Sequence, residues 1–202
     1  FPERDPGGPT TATDGGSTGD GAVAEAAEES SVPVSGVVRI GHDAAHAIVN
    51  TVEQYDCDAV LMGWRGRRAR RRDVVVGSTV DDVVRDADAD VLVERVGETG
   101  PVERILVPTA GGPHAEYAAE VARAIAHTTG ATVDVARVVD PGSGEESHER
   151  ARRGLEETAE ILNPDEAEAT VDVETTVLEG DDVVDAIVEA SAGADLTIVG
   201  ST

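Results

Sequence analysis

The stretch Met62 to Thr79, "MGWRGRRARRRDVVVGST", gathers residue types suited to holding an anion. Gly63, Gly66 and Gly77 let a backbone approach a phosphate closely, and Ser78 and Thr79 offer hydroxyls and free N–H groups where a helix would begin. Arg65, Arg67, Arg68, Arg70, Arg71 and Arg72 add fixed guanidinium forks. The rest of the chain repels anions. It carries 41 acidic residues against 16 basic ones and a net charge of -25. The loop therefore either cradles a phosphate or is a solvated segment pairing with the acidic surface, as charge runs usually are. Trp64, inside it, either stacks on a base or covers a sheet edge.

Other chemistry is scarce. His42 and His46 stand four apart, a spacing that fits two metal ligands on one helical face, but no third ligand is near, so they read as a cap-region and a surface histidine. His114, His127 and His148 are scattered. Asp181 and Asp182 resemble paired carboxylates, yet at a helix start they serve better as caps. Cys57 is alone, which excludes an internal disulfide and a cysteine-only zinc site, and its neighbours suggest a buried small hydrophobe. No Ser/His/Asp or Cys/His set has catalytic spacing, so the chain reads as a binding protein and not an enzyme, with no metal of its own. The acidic balance makes nucleic acid a poor partner.

All basic residues are arginine, and lysine is absent. Such a carboxylate-dense surface suits molar salt, where the Debye length is about 3 Å and repulsion is screened. Aromatics are 2% of the chain, so a core must come from Val, Ile, Leu and Ala, as in parallel sheets under alanine-rich helices. No run approaches the ~20 apolar residues of a membrane helix.

Residues 1–20 read as linker or disorder, rich in Gly, Pro, Thr and Asp. A short helix over 22–29 follows, then a strand in "VPVSGVVRI" ending at Ile40. A helix capped by Asp43 carries Ala45, Ile48, Val49 and Val52, and "DAVLMGW" reads as a buried strand. Ser78 or Thr79 caps a helix to about Asp88, before the strand "ADVLVERV". A second unit, 102–202, repeats the alternation. Its strand "VERILVPTAGG" leads to a helix from Pro113 to Gly130 with Ala118, Val121, Ala122 and Ile125 on one face. There follow "ATVDVARVV", a helix striped by Ala151, Leu155, Ala159 and Leu162, "ATVDVETTVLEG", a helix from Asp182 to about Ala192, and "ADLTIVG". The expected class is α/β with right-handed crossovers and parallel sheets.

The halves repeat: "GHDAAHAIVNTVEQYDCDAVLMG" (41–63) matches "GDDVVDAIVEASAGADLTIVG" (180–200) in its glycine, an Asp two residues on, "AIV", and an Asp opening the final apolar strand. On these residues, and on the run Gly63, Gly66, Gly77, Ser78 after that strand, the chain resembles the universal stress protein family over roughly residues 20–202. The spacing between Gly66 and Gly77 is one longer than the family pattern. The resemblance implies two tandem doubly wound domains of strand order 3-2-1-4-5, over 21–97 and 102–202, each incomplete in a chain that opens at Phe1 and closes in "LTIVGST". It also implies ATP or another adenine nucleotide as ligand, held by Gly63, Arg65, Gly66, Arg67, Gly77, Ser78 and Thr79, with Thr109 and Gly200 at the matching places of the second copy. Where the family's ATP binders carry an Asp after strand one, this chain has Ala110. The implied roles are stress response or control of an attached transporter, cytoplasmic or tethered through other segments, with domains pairing within a chain or as a homodimer. A pairing module with degenerate sites is the alternative. A nucleotidyl-transferring enzyme would need an HxGH-like motif, which is missing.

Overall fold

In the computed structural model the described residues are 32–63, 79–95, 97, 100–164 and 169–200. The chain divides into two compact units, Phe1–Val96 and Gly97–Thr202. In the first, helix α1 (Ala44–Tyr55), strand β1 (Ala59–Gly63), helix α2 (Thr79–Asp86) and strand β2 (Asp90–Glu94) follow in order. β1 and β2 pair in parallel from Ala59 opposite Asp90 to Gly63 opposite Glu94, so β1–α2–β2 is one crossover unit. α1 packs on α2, burying Ala45, Val52 and Val83.

Two expectations need correction here. Val32 to Ile40 form no strand: Val38 is 91% and Ile40 101% exposed, with no neighbouring strand among the described residues to complete a ladder. β1 exists but is not buried. Its burial alternates, and Leu61 is 67% exposed because the described helices cover one face only. Cys57, ahead of β1, is part-buried, its N–H donating to the carbonyl of Val52 at 3.1 Å.

The second unit runs β3 (Arg104–Pro108), α3 (Pro113–Thr129), β4 (Thr132–Val139), α4 (Glu145–Leu162), β5 (Val173–Glu179), α5 (Val183–Ser191) and β6 (Leu196–Thr197). Its sheet is all parallel in the order β5-β4-β3-β6, which is 3-2-1-4 in the count of that unit's own strands. This is the doubly wound arrangement expected. α3 starts at Pro113, whose missing N–H costs nothing there, and stops at Gly130 in the left-handed region (φ 76°). Ala115, Ala118, Ala119, Ala122 and Ala126 form its buried stripe, so small side chains bring it close to the sheet, where Ile105, Val107, Val133 and Val135 are sealed. On α4 the buried stripe is Ala151, Leu155, Thr158 and Leu162, with Thr158 in the place expected for Ala159. Thr158 is tolerated because its hydroxyl donates to the carbonyl of Gly154, one turn back, at 3.0 Å.

The internal repeat is one of geometry as well as letters. Asp43 caps α1 through its carboxylate, which accepts from the N–H of Ala45 (2.9 Å) and of His46 (3.3 Å). Asp182 caps α5 by accepting from Val184 (2.8 Å) and Asp185 (3.1 Å), with nearly the same backbone angles. Two residues before each cap stands a glycine, Gly41 or Gly180, and six residues after that glycine an alanine, Ala47 or Ala186. A Cβ on Gly180 would lie 2.9 Å from the Cβ of Ala186, so the turn needs that hydrogen.

Asp195 joins the start of β6 to the start of β3. Its carboxylate accepts from the N–H of Glu103 and of Arg104, each at 2.9 Å, and these two bonds hold its pKa below the usual carboxylate value. A depressed folded pKa gives stability that is present above the unfolded value and lost as pH falls through the folded one. Asp195→Asn is therefore expected to lower stability at neutral pH and to narrow the gap to the parent in acid. Urea melts at about pH 7 and about pH 3 test this, and a gap that does not narrow in acid would refute it.

Candidate functional site

The order β5-β4-β3-β6 makes a switch point between β3 and β6, where the chain leaves one strand toward each side; beyond the carboxyl ends at such a point a doubly wound sheet generally takes its ligand. The residues there come from two turns. After β3 the chain passes Thr109 and Ala110 into Gly111 and Gly112, both at positive φ (84° and 89°), and so into α3. Only glycine takes two such values in a row without strain. After β6 comes Gly200, whose missing side chain lets the strand end lie on the first turn of α3: a Cβ there would run into the carbonyl of His114 and sit 2.9 Å from the nitrogen of Ala115.

Sequence reasoning pointed to Thr109 and Gly200, and the structure does bring these two turns to one end of the sheet. What each does there is more specific. Thr109 is 6% exposed, and its hydroxyl accepts from the N–H of Gly111 at 3.1 Å. It stands 3.4 Å from the Thr158 oxygen, to which it donates because the Thr158 proton goes to Gly154. Its bonds hold the turn. At the helix start Ala115 and Glu116 both donate to the carbonyl of Gly112 at 3.0 Å, and Pro113 has no N–H. Among the described residues that leaves the N–H of His114 as the first-turn donor without a partner, directly beside Gly200. Ala110 is exposed and supplies no acceptor.

In the first unit Gly63 closes β1 and Thr79 opens α2; both are exposed. Trp64, Arg65, Gly66, Arg67, Gly77 and Ser78 lie outside the described residues. Among the described residues no group of three or more His, Cys, Asp or Glu side chains could hold a metal ion, and no helix is long and apolar enough to cross a membrane.

A profile of the universal stress protein family matches residues 4–95 and 101–202. The chain belongs to that family. Two matched segments in one chain, each with parallel strands, make it a tandem universal stress protein. It is 28% identical over 166 residues to a Na+/H+ antiporter of Synechocystis sp., covering 81% of this chain and 23% of that protein, so the chain spans under a quarter of that relative's length. A universal stress protein from Archaeoglobus fulgidus DSM 4304 superposes with a TM-score of 0.55 at 18% identity, covering 78% of this chain and 54% of that one. A universal stress protein solved in complex with cAMP gives a TM-score of 0.43 at 22% identity, covering 50% of this chain and 77% of that one.

Sequence reasoning placed a glycine turn after β3, as found, but missed the Asp195 clamp and the positive φ of both Gly111 and Gly112. The clamp had a signal: Asp195 recurs in the repeat as Asp58, each directly before an apolar strand. The positive angles of Gly111 and Gly112 had one too, since "GGP" ahead of a helix marks a turn that only glycines enter.

Proposed function

We propose that this tandem universal stress protein is a nucleotide-responsive binding module, not an enzyme, which regulates a transporter on the cytoplasmic side of a membrane. One observation supports it above the rest: two glycine turns, Gly111–Gly112 and Gly200, converge beyond the carboxyl ends of β3 and β6, where a doubly wound sheet places its ligand. In the repeat Gly200 corresponds to Gly63, which opens the arginine loop. The first copy is the stronger candidate for ATP, through Gly63, Gly66, Gly77, Ser78 and Thr79, with Arg65 and Arg67 pairing with phosphate oxygens. The antiporter relative supports the transporter, and the universal stress pairs would associate within a chain or between two.

A second reading, a pairing module with degenerate sites, has its own support in the second copy. Ala110 replaces an acceptor, Thr109 is spent on the turn, and α3 keeps most of its first-turn donors for itself. Calorimetric titration of the complete natural protein with ATP separates the two. Gly77→Val should abolish binding, since a side chain blocks close backbone approach. Replacing Arg67, Arg68, Arg70, Arg71 and Arg72 with Ser should weaken it by about 1 to 3 kcal/mol, less at high salt, as one or two charged hydrogen bonds go. No heat of binding in the parent protein would leave the pairing module.

A further inference from the structure

In the first unit β2 lies along one edge of β1, and among the described residues no strand lies along the other. The second unit shows what such an edge takes. There β6, the counterpart of β1 in the repeat, lies parallel to β3. Asp195 draws in the start of β3: its carboxylate accepts from the N–H of Glu103 and of Arg104, and its own N–H donates to the carbonyl of Arg104 at 3.0 Å. Asp58 stands where Asp195 stands, five residues ahead of the glycine that closes the strand. Among the described residues its exposed carboxylate accepts no hydrogen bond. The first unit thus has the clamp and the edge without the strand.

It also has a strand without an edge. Val34 to Ile40 fill the seven places before Gly41 that β5, Val173–Glu179, fills before Gly180, and β5 pairs with β4 along its whole length. The counterpart in the first unit makes no ladder, and its Val38 and Ile40 are exposed. It is pinned instead to the end of α1, where Arg39 donates to the side-chain oxygen of Gln54 and lies over the ring of Tyr55 at 5.9 Å.

We propose that a second copy of this chain supplies the missing strand: its Val34–Ile40 segment adds in parallel to the open edge of β1, with Asp58 clamping its start. Each chain offers one strand and one edge, so two chains satisfy each other and close as a pair. The clamp sets the register. In the second unit the residue after the two clamped N–H groups, Ile105, stands opposite Leu196, the residue after Asp195. Carried over, Asp58 takes the N–H groups of Val34 and Ser35, and Gly36 to Ile40 run opposite Ala59 to Gly63, five residues against five. Pro33, with no N–H to give, falls just outside the ladder. The contact needs no nucleotide and leaves the outer edge of β2 free.

Sedimentation of the 202-residue protein under reducing conditions should show the mass rising from one chain to two as concentration rises. Val37 takes the place of Leu106, whose carbonyl accepts from Ile198 of β6, so its backbone faces the open edge. Val37→Pro removes that donor at a half-exposed position, and Asp58→Ala removes the clamp at an exposed one. Each should weaken association at least about tenfold, the ratio that loss of one such hydrogen bond carries. Cys57, the single cysteine, reads the register. It would lie opposite residue 34, and facing residues of neighbouring strands are about 5 Å apart, within reach of a disulfide. Oxidation of Val34→Cys should therefore join the new thiol to Cys57 of the second copy. A mass of one chain at every concentration overturns the proposal, as does a disulfide closed within a single chain, or association unchanged in both Val37→Pro and Asp58→Ala.

Discussion

Leu162→Ala is expected to destabilise the second unit by about 3 to 5 kcal/mol, toward the upper end of the range for deleting a buried leucine. Leu162 is 0% exposed at the last turn of α4, in the same cluster as Ile105, Val133, Leu155 and Val171. The cost is high because of what surrounds it. Five members of that cluster are alanines: Ala118, Ala119, Ala122, Ala126 and Ala131. An alanine has no rotamer to swing into a gap, so the cavity stays open and the lost dispersion contacts are not regained. Asn163 fixes the site further. Its amide donates to the carbonyl of Val171 and its oxygen accepts from the Val171 N–H, both at 2.9 Å, which holds the chain entering β5 against the end of α4. Denaturant unfolding of the variant measures the loss. Leu61→Ala in β1, at a position already open to solvent, should shift stability by less than about 0.5 kcal/mol. Equal losses at the two positions would mean that the aromatic-poor core does not carry the stability assigned to it.

That core was legible in the sequence because its period is strong. Apolar residues recur three and four apart on α3 and α4, continuous apolar runs mark β3 and β4, and Gly and Pro punctuate both ends of α3. That the strands run parallel followed from alternation alone, and their order from the resemblance to the family. In the first unit the same reasoning over-reached, because an apolar run such as Val32 to Ile40 reports only that a segment is able to be a strand. Whether it becomes one depends on a neighbour supplying the ladder, and sequence pattern does not show neighbours. The site was legible in position and less so in role. Thr109 was found by its place after β3, but its inward hydroxyl depends on Thr158, 49 residues away, and no local pattern announces that pairing.

Gly200 shows how close packing and ligand approach share one sequence signal. The repeat aligns it with Gly63, and a glycine at the carboxyl end of a strand was read as room for a phosphate. Here the room is filled by the chain itself. A valine at 200 would press its Cβ into the carbonyl of His114, with the carbonyl carbon at 2.6 Å and the nitrogen of Ala115 at 2.9 Å, all of them backbone. Backbone in the first turn of α3 has little freedom to yield, since Pro113 fixes the preceding φ and Ala115 and Glu116 are tied to Gly112. The strand end must move instead. β6 is held to β3 over Leu196 and Thr197 and by the bond from the Ile198 N–H to the Leu106 carbonyl at 2.9 Å, so it is the weaker side. Gly200→Val should cost about 1 to 3 kcal/mol, the usual range for overpacking, and free that end of β6. Hydrogen exchange at the Ile198 amide reads this directly. Opening costs lowered by that amount speed exchange roughly 5- to 150-fold if the loss falls on β6. Gly193→Ala, where an added Cβ meets only the Ala190 carbonyl at 3.7 Å, should leave Ile198 as protected as in the parent. If Gly200→Val also leaves it protected, the strand end is not seated on α3, and the space beyond β3 and β6 is open to a ligand in the second copy after all.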